Sequence, residues 1–208
     1  MKTISILGST GSIGRSALDV IRLHPDKFNI FALSCYENEG LLLQQAIEFR
    51  PLYIVTKDEQ SQCRLVALVK ENNLKIEVLF GSIGYEFIAG HEDVSTVLAA
   101  ITGAAGLRST FAAAVNGKKI LLANKESMVM AGNLLSEVCS KNNGIIIPVD
   151  SEHNAIFQVI HNQKNPEEIN KLILTASGGP FRETKLNDLE DVTVEDALNH
   201  PNWDMGTK

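Results

Sequence analysis

The 208-residue sequence predicts an α/β fold built on a doubly wound parallel sheet, and three observations predict it. Short apolar runs alternate with longer amphipathic segments, the runs are apolar on both faces, and a glycine-rich turn joins the first run to the first helical segment. Runs of that kind belong to strands covered by helices on both sides. Hydrophobic residues make up 44% of the chain and charged residues 21%, with 15 Gly and 6 Pro, which excludes collagen-like, coiled-coil and disordered classes and leaves material for a packed core.

Taken in order, strands are expected at residues 3–7, 29–34, 52–56, 76–80, 95–100, 119–123 and 144–149, each rich in Ile, Val and Leu. A helical run at 16–23 follows the first strand. Leu107, Thr110, Phe111, Ala114 and Val115 share one helical face at i, i+3, i+4, i+7 and i+8, and Gly117 is a natural stop. Ala131, Leu134, Leu135 and Val138 mark another helix, which ends in Ser140-Lys141-Asn142-Asn143-Gly144. Strand and helix repeated in this way make a doubly wound sheet. After about Asn162 a polar stretch containing Pro166 reads as an exposed loop. Residues 171–175 read as a strand, followed by a Gly-Gly-Pro turn and an acidic segment at 186–198. These last pieces have no place in the first sheet, so a boundary is expected near 148–150, dividing a first domain, 1–149, from the start of an α+β domain, 150–208.

Charge and cysteine usage narrow the functional classes. Nineteen Lys and Arg face 25 Asp and Glu, a formal charge of -6, so the total points to neither a nucleic-acid groove nor an anionic membrane surface. Any phosphate site must be built locally. Cys35, Cys63 and Cys139 are widely spaced, odd in number and in no C-x-x-C pattern, which argues against a disulfide framework or a zinc site and for a reducing, cytoplasmic setting. The run before Gly8 is too short for a signal-peptide core, and no stretch reaches the roughly 20 apolar residues of a membrane span.

Gly8-Ser9-Thr10-Gly11-Ser12-Ile13-Gly14 lies between the first strand and the first helix. In that context glycines allow a tight turn and close backbone approach, and the helix amides bind phosphate oxygens, so the G-x-x-G-x-x-G spacing reads as a Rossmann-like dinucleotide fingerprint. A ligand-free strand-to-helix turn is the bland alternative. Such fingerprints carry an acidic residue near the end of the second strand for a ribose 2′-hydroxyl, or a basic one for a 2′-phosphate. Here the segment is Ser34-Cys35-Tyr36-Glu37-Asn38, and Glu37 taken alone leans to NAD; a solvated glutamate pointing away is equally compatible.

Two further clusters follow strands. In Asn124-Lys125-Glu126-Ser127, Lys125 suits an anionic substrate while Asn124 and Glu126 suit a cofactor, although Lys and Glu opening a helix are also ordinary solvated residues. In Pro148-Val149-Asp150-Ser151-Glu152-His153-Asn154, an extended backbone would set Asp150 and Glu152 on one side, a donor pair suited to Mg²⁺ or Mn²⁺. The alternative is an N-cap, with Asp150 or Ser151 opening a helix at 155–160. His153 reads as a core histidine rather than a ligand. Thr175-Ala176-Ser177-Gly178-Gly179-Pro180 offers a hydroxyl and successive amides to an anion, or is a plain turn. His200-Pro201-Asn202-Trp203 pairs an imidazole with an indole that packs on a core or closes over a ligand.

These motifs, together with Leu122-Ala123 before Asn124, Ala155-Ile156-Phe157-Gln158 and Phe181-Arg182, resemble the 1-deoxy-D-xylulose 5-phosphate reductoisomerases in order along the whole chain. The resemblance implies an NADPH- and divalent-metal-dependent enzyme of non-mevalonate isoprenoid synthesis. Such an enzyme converts 1-deoxy-D-xylulose 5-phosphate to 2-C-methyl-D-erythritol 4-phosphate. It implies cofactor contacts at Gly8, Thr10, Gly11, Ser12, Ile13, Asn38, Asn124, Glu126 and Gly206. It implies metal ligands at Asp150 and Glu152, with Mg or Mn as the ion. Catalytic and substrate contacts are implied at Lys125, Ser151, Glu152, Ser177 and His200, with Trp203 closing over the site and the full-length protein forming a homodimer.

The chain departs from the family in two places. After the second strand the family has Gly-Lys-Asn or similar where this chain has Tyr36-Glu37-Asn38, so a lysine partner for the 2′-phosphate is missing from that loop. The family also continues beyond Lys208 with another metal-binding glutamate and further phosphate-binding residues, so this chain is expected to be the N-terminal portion and inactive alone. Two other classes compete. A semialdehyde dehydrogenase shares the glycine-rich loop but needs an activated cysteine, whereas Cys139 sits late in an amphipathic helix. A non-catalytic dinucleotide-binding module would share the loop and lack the chemistry.

Overall fold

The computed structural model describes residues 1–161 and 165–199. It divides into two compact units, Met1–Asn154 and Ala155–Lys208.

In the first unit, β1 (Lys2–Leu7) leads into α1 (Ser12–Leu23), β2 (Phe28–Ser34), α2 (Glu39–Phe49), β3 (Tyr53–Thr56) and α3 (Glu59–Glu71). The chain continues through β4 (Glu77–Phe80), α4 (Gly81–Gly90), β5 (Thr96–Ala99), α5 (Leu107–Val115), β6 (Lys119–Leu122), α6 (Glu126–Lys141) and β7 (Ile145–Pro148). All seven expected strands form. They make one parallel sheet in the order β4-β3-β2-β1-β5-β6-β7, the doubly wound fold that the apolar runs predict.

Strand side chains alternate between two cores, which is why the runs lack polar alternation. Ile4 and Ile6 of β1, Ile54 of β3 and Leu98 of β5 pack with Leu18, Leu42 and Leu65 from α1, α2 and α3. Leu7, Val55, Val97 and Ala99 pack instead with Ile88, Ala113 and Leu135 from α4, α5 and α6. Strand order reverses on either side of β1, whose neighbours are β2 and β5. In open parallel sheets that reversal opens a crevice at the carboxyl ends of the strands, and the glycine-rich loop after β1 stands at it.

Helix starts differ from the sequence expectation in three places, one of them the helix after β7, which begins at Ser151 rather than 155. α1 begins at Ser12, inside the glycine loop, and α6 begins at Glu126 and bends at Ala131 (φ -150°, ψ 29°), beside Gly132. Apolar spacing detects only the buried stretch of a helix, so the solvent-facing first turns escaped it.

α7 (Ser151–Ile160) follows β7. Within the second unit, residues 186–198 form a 3₁₀ segment at Leu186–Asp191 and α8 (Val194–Leu198), opened by a reciprocal cap between Thr193 and Asp196. The strand expected at 171–175 does not form; the backbone there is irregular, and Leu172, Ile173 and Leu174 are 61%, 67% and 59% exposed. A strand needs a neighbour for its ladder, and among the described residues none pairs with this one.

Candidate functional site

The glycine loop brings backbone close to backbone and opens onto the start of α1. Gly8 takes φ +83°, and a Cβ there would lie 2.8 Å from the Ala100 carbonyl oxygen. Gly14 lies at the opposite end, buried, where a Cβ would meet the Gly8 carbonyl oxygen at 2.3 Å and Ser9 Cα at 2.6 Å. Both positions therefore exclude any side chain, and the first turn of α1 is drawn tightly against the Gly8-Ser9 backbone. Arg15 N–H donates to the Gly11 carbonyl at 2.9 Å, the first such bond of α1, and Gly11 caps the helix with no side-chain bond. The amides of Ser12, Ile13 and Gly14 precede that bond and have no acceptor within the helix, as at every helix start. No acidic residue occupies the first turn, so the positive end of the helix dipole faces the loop uncompensated. Thr10 is half-buried, and Gly11, Ser12 and Ile13 are exposed.

A buried polar network, absent from the sequence reading, holds this loop. Ser9 is fully buried, and its hydroxyl donates to Gln45 Oε1 at 2.7 Å, while Gln45 Nε2 donates back to the Ser9 carbonyl at 3.0 Å. Gly8 N–H donates to Ser34 Oγ at 2.9 Å, and Ser9 N–H donates to the Ser34 carbonyl at 2.8 Å. Gln45 projects from α2 and Ser34 closes β2, so two elements distant in sequence lock the turn. Gln45, directly after Gln44 in the helix, gives little sign of this; its one signal is a polar residue on a face otherwise carrying Leu42 and Ala46.

At the end of β2, Asn38 caps α2 by accepting from Leu41 N–H at 3.0 Å, and Glu37 is exposed beside Lys57. On the other side of β1, Asn124 is buried and its amide is fully occupied. Nδ2 donates to the Gly103 carbonyl at 2.9 Å and to the Ile101 carbonyl, while Oδ1 accepts from Ser127 N–H at 3.0 Å and from the Ser127 hydroxyl. Its side chain shapes the turn after β5 and has no bonding capacity left over. Lys125 is exposed and Glu126 half-buried at the start of α6.

β6 and β7 are neighbours, with Leu122 paired to Pro148 and Val149 N–H donating to the Leu122 carbonyl at 2.9 Å. Their following loops, Asn124-Lys125-Glu126 and Asp150-Ser151-Glu152, therefore share one edge. The backbone is helical from Ser151, so strand alternation does not set the Asp150 and Glu152 side chains; Asp150 is the N-cap, accepting from His153 N–H at 3.1 Å. His153 is exposed rather than in a core, with Nδ1 2.6 Å from Asp150 Oδ1. Burial raises the Asp150 carboxyl, but hydrogen bonds from His153 and the charges of His153 and Lys125 outweigh it and hold the group below the usual carboxylate range. Asp150, ionised and partly desolvated, and half-buried Glu152 in the first turn of α7 are each hard oxygen donors of the kind Mg²⁺ or Mn²⁺ takes. Among the described residues no three acidic, His or Cys side chains cluster as a complete metal site.

In the second unit Ser177 Oγ accepts from Gly179 N–H at 3.4 Å, across a turn in which Gly178 and Gly179 take φ +86° and +69°. His200, Trp203 and Gly206 lie outside the described residues. Cys139 is buried in α6, and burial raises its thiol, the opposite of what a nucleophilic cysteine requires. Burial likewise pushes the Cys35 thiol up to about 11.

Comparison with known proteins follows the same two parts of the chain. The family model for 1-deoxy-D-xylulose 5-phosphate reductoisomerase matches residues 4–132, and that for its C-terminal domain matches residues 146–208. The 1-deoxy-D-xylulose 5-phosphate reductoisomerase of Lawsonia intracellularis is 52% identical over 207 residues, which cover 100% of this chain and 51% of that protein. The enzyme of the same name from Francisella tularensis subsp. novicida is 53% identical over 207 residues, covering 99% and 52%. A crystal structure of DOX-P reductoisomerase in complex with NADPH, fosmidomycin and magnesium matches at TM-score 0.90 and 45% identity, over 99% of this chain and 52% of the other. The chain spans about half the length of the curated relatives it matches. Two family models that together match most of the chain, and relatives above 50% identity along nearly its whole length, show that the chain belongs to the 1-deoxy-D-xylulose 5-phosphate reductoisomerase family.

Proposed function

We propose that this chain is the cofactor- and metal-binding part of an enzyme that converts 1-deoxy-D-xylulose 5-phosphate to 2-C-methyl-D-erythritol 4-phosphate with NADPH. The single observation that carries this reading is the shared edge of β6 and β7, which sets Lys125 and an ionised Asp150 within electrostatic reach of each other beyond the glycine cradle. On this reading residues 1–149 form the dinucleotide-binding domain and 150–208 the start of the catalytic domain.

The amides of Ser12 and Ile13, with Thr10 and Gly11, hold the cofactor pyrophosphate, and the absence of a side chain at Gly8 lets the backbone approach it. Asn38 and Glu126 flank the cofactor, and Asn124 acts by fixing the turn at Ile101 and Gly103. Asp150 and Glu152 hold the divalent ion, and His153 orients the Asp150 carboxylate. When bound, the ion supplies Lewis acidity at the substrate's oxygens and the nicotinamide supplies the hydride. Lys125 offsets negative charge on the substrate, while Ser151 and Ser177 donate hydrogen bonds to it. His200, Trp203 and Gly206 keep the substrate, lid and cofactor roles that the resemblance implies. A local anion site of this kind needs no net positive charge, which reconciles a phosphorylated substrate with the total of -6.

Three unpaired cysteines fit a reducing setting, and no helix among the described residues is long and apolar enough to cross a membrane. We place the enzyme in the cytoplasm, as a homodimer. The reading is tested by metal-dependent NADPH consumption on 1-deoxy-D-xylulose 5-phosphate, measured for the chain and for the chain extended to its relatives' length. Asp150→Asn is expected to lower kcat by at least about 10²-fold, in line with loss of a metal-ligand charge. Consumption that survives this change intact contradicts the assignment.

A further inference from the structure

We infer that Lys57, on the loop after β3, is the residue that selects a 2′-phosphorylated dinucleotide in this chain, with Glu37 as its resident counter-ion; the inference rests on the dinucleotide reading above. In a doubly wound sheet the adenosine ribose falls at the end of the second strand. That position here is Tyr36-Glu37-Asn38, where an exposed carboxylate repels a 2′-phosphate and no cation is supplied by the loop itself.

The neighbouring strand supplies one. β3 lies beside β2, with Ser34 paired to Val55 and Cys35 N–H donating to the Val55 carbonyl at 3.0 Å, so the residues after both strands emerge side by side. Lys57 follows directly after Thr56. Its Nζ lies 3.6 Å from Glu37 Oε1 and 5.4 Å from the centroid of the Tyr36 ring, which is 66% exposed. The ammonium thus stands over the loop that meets the ribose, beside an aromatic face open to an adenine ring.

The charges around it decide its availability. Asp58 accepts from Ser61 N–H at 2.8 Å as the cap of α3, and Glu39 grips Arg64 through two bonds of 2.6 and 3.0 Å. Neither side chain bonds Lys57, although the Asp58 carboxylate, next to it in sequence, adds its negative charge to the field around the ammonium. The Lys57–Glu37 pair is longer, and the Glu37 side chain is 75% exposed, so little holds the lysine to it. A phosphate carries about 1.5 to 2 negative charges against one for a carboxylate and presents three acceptor oxygens, so it displaces Glu37 from the ammonium. Discrimination is therefore limited by Glu37, and NADH is bound too, more weakly than NADPH.

Calorimetric titration of the chain with NADPH, NADH, adenosine 2′,5′-bisphosphate and AMP, without metal or substrate, tests this. Lys57→Gln is expected to weaken NADPH and the bisphosphate by about tenfold, the loss of one charge-assisted contact, and to leave NADH and AMP within about twofold. Glu37→Gln is expected to strengthen the 2′-phosphorylated ligands by a few-fold in an otherwise intact loop. Equal changes for both ligand pairs in Lys57→Gln, or no change in either variant, overturn the role of Lys57. Failure of the folded wild-type chain to bind any of the four ligands overturns the underlying dinucleotide reading as well, and so separates the two failures.

Discussion

Gln45 shows what single residues add beyond the glycine pattern. It spans 36 positions to close on Ser9, both side chains buried, and satisfies polar groups at the start of the loop. Gln45→Leu leaves the Ser9 hydroxyl and carbonyl without that partner in a buried site. We expect a loss of about 1–3 kcal/mol in urea unfolding, together with weaker dinucleotide binding; unchanged stability would mean the loop is held by Ser34 alone. The glycines were legible because a turn is a local event, written in consecutive residues. Gln45 was not, because its meaning depends on a partner that only the assembled sheet brings near. The same limit applies to His153, which reads as a core residue until the start of α7 places it on the surface against Asp150.

At the scale of elements, strands were legible because both faces of a parallel sheet are buried, which leaves short apolar runs with little else to be. Helix starts were legible only where the first turn also faces the core. The helical start at Ser151 matters most for the chemistry, since of the two readings of Asp150, strand residue or cap, it selects the cap while the carboxyl stays ionised. The run at 171–175 has strand composition but no ladder, and composition cannot report a missing neighbour.

Charged caps and pairs also set how these elements respond to acid. Hydrogen bonds from Ser61 hold Asp58 at the start of α3 below the ordinary carboxylate range, as those from Arg64 and Arg22 do for Glu39 and Glu48. Groups with depressed folded values contribute stability above the unfolded value and lose it as pH falls through the folded value. Urea midpoints should therefore decline from about pH 5 downward, where these carboxyls begin to titrate, and Asp58→Asn should shallow that decline. A midpoint flat to about pH 3 would show that these contacts add nothing.

The whole molecule joins a first unit with two packed cores to a second unit whose described helices are short, and its length is about half that of its relatives. The doubly wound sheet was predictable from the alternation of runs along the chain, its strand order and switch point emerge only in the structure, and the motifs carried the family resemblance. How the cofactor is discriminated was not predictable, because Glu37 and Lys57 sit 20 positions apart in sequence and meet only through adjacent strands. All of the chemistry proposed here begins with a dinucleotide pyrophosphate seated on the amides at the start of α1.

Calorimetry of NADPH binding to the Ser12→Asp variant tests that seat most directly. An acidic residue in the first turn is favourable to the helix, so folding should be unchanged or slightly strengthened. The same carboxylate would occupy and repel the pyrophosphate position, and we expect Kd to rise by at least about 100-fold. A variant that folds as well as the wild type and binds NADPH equally tightly would contradict the account.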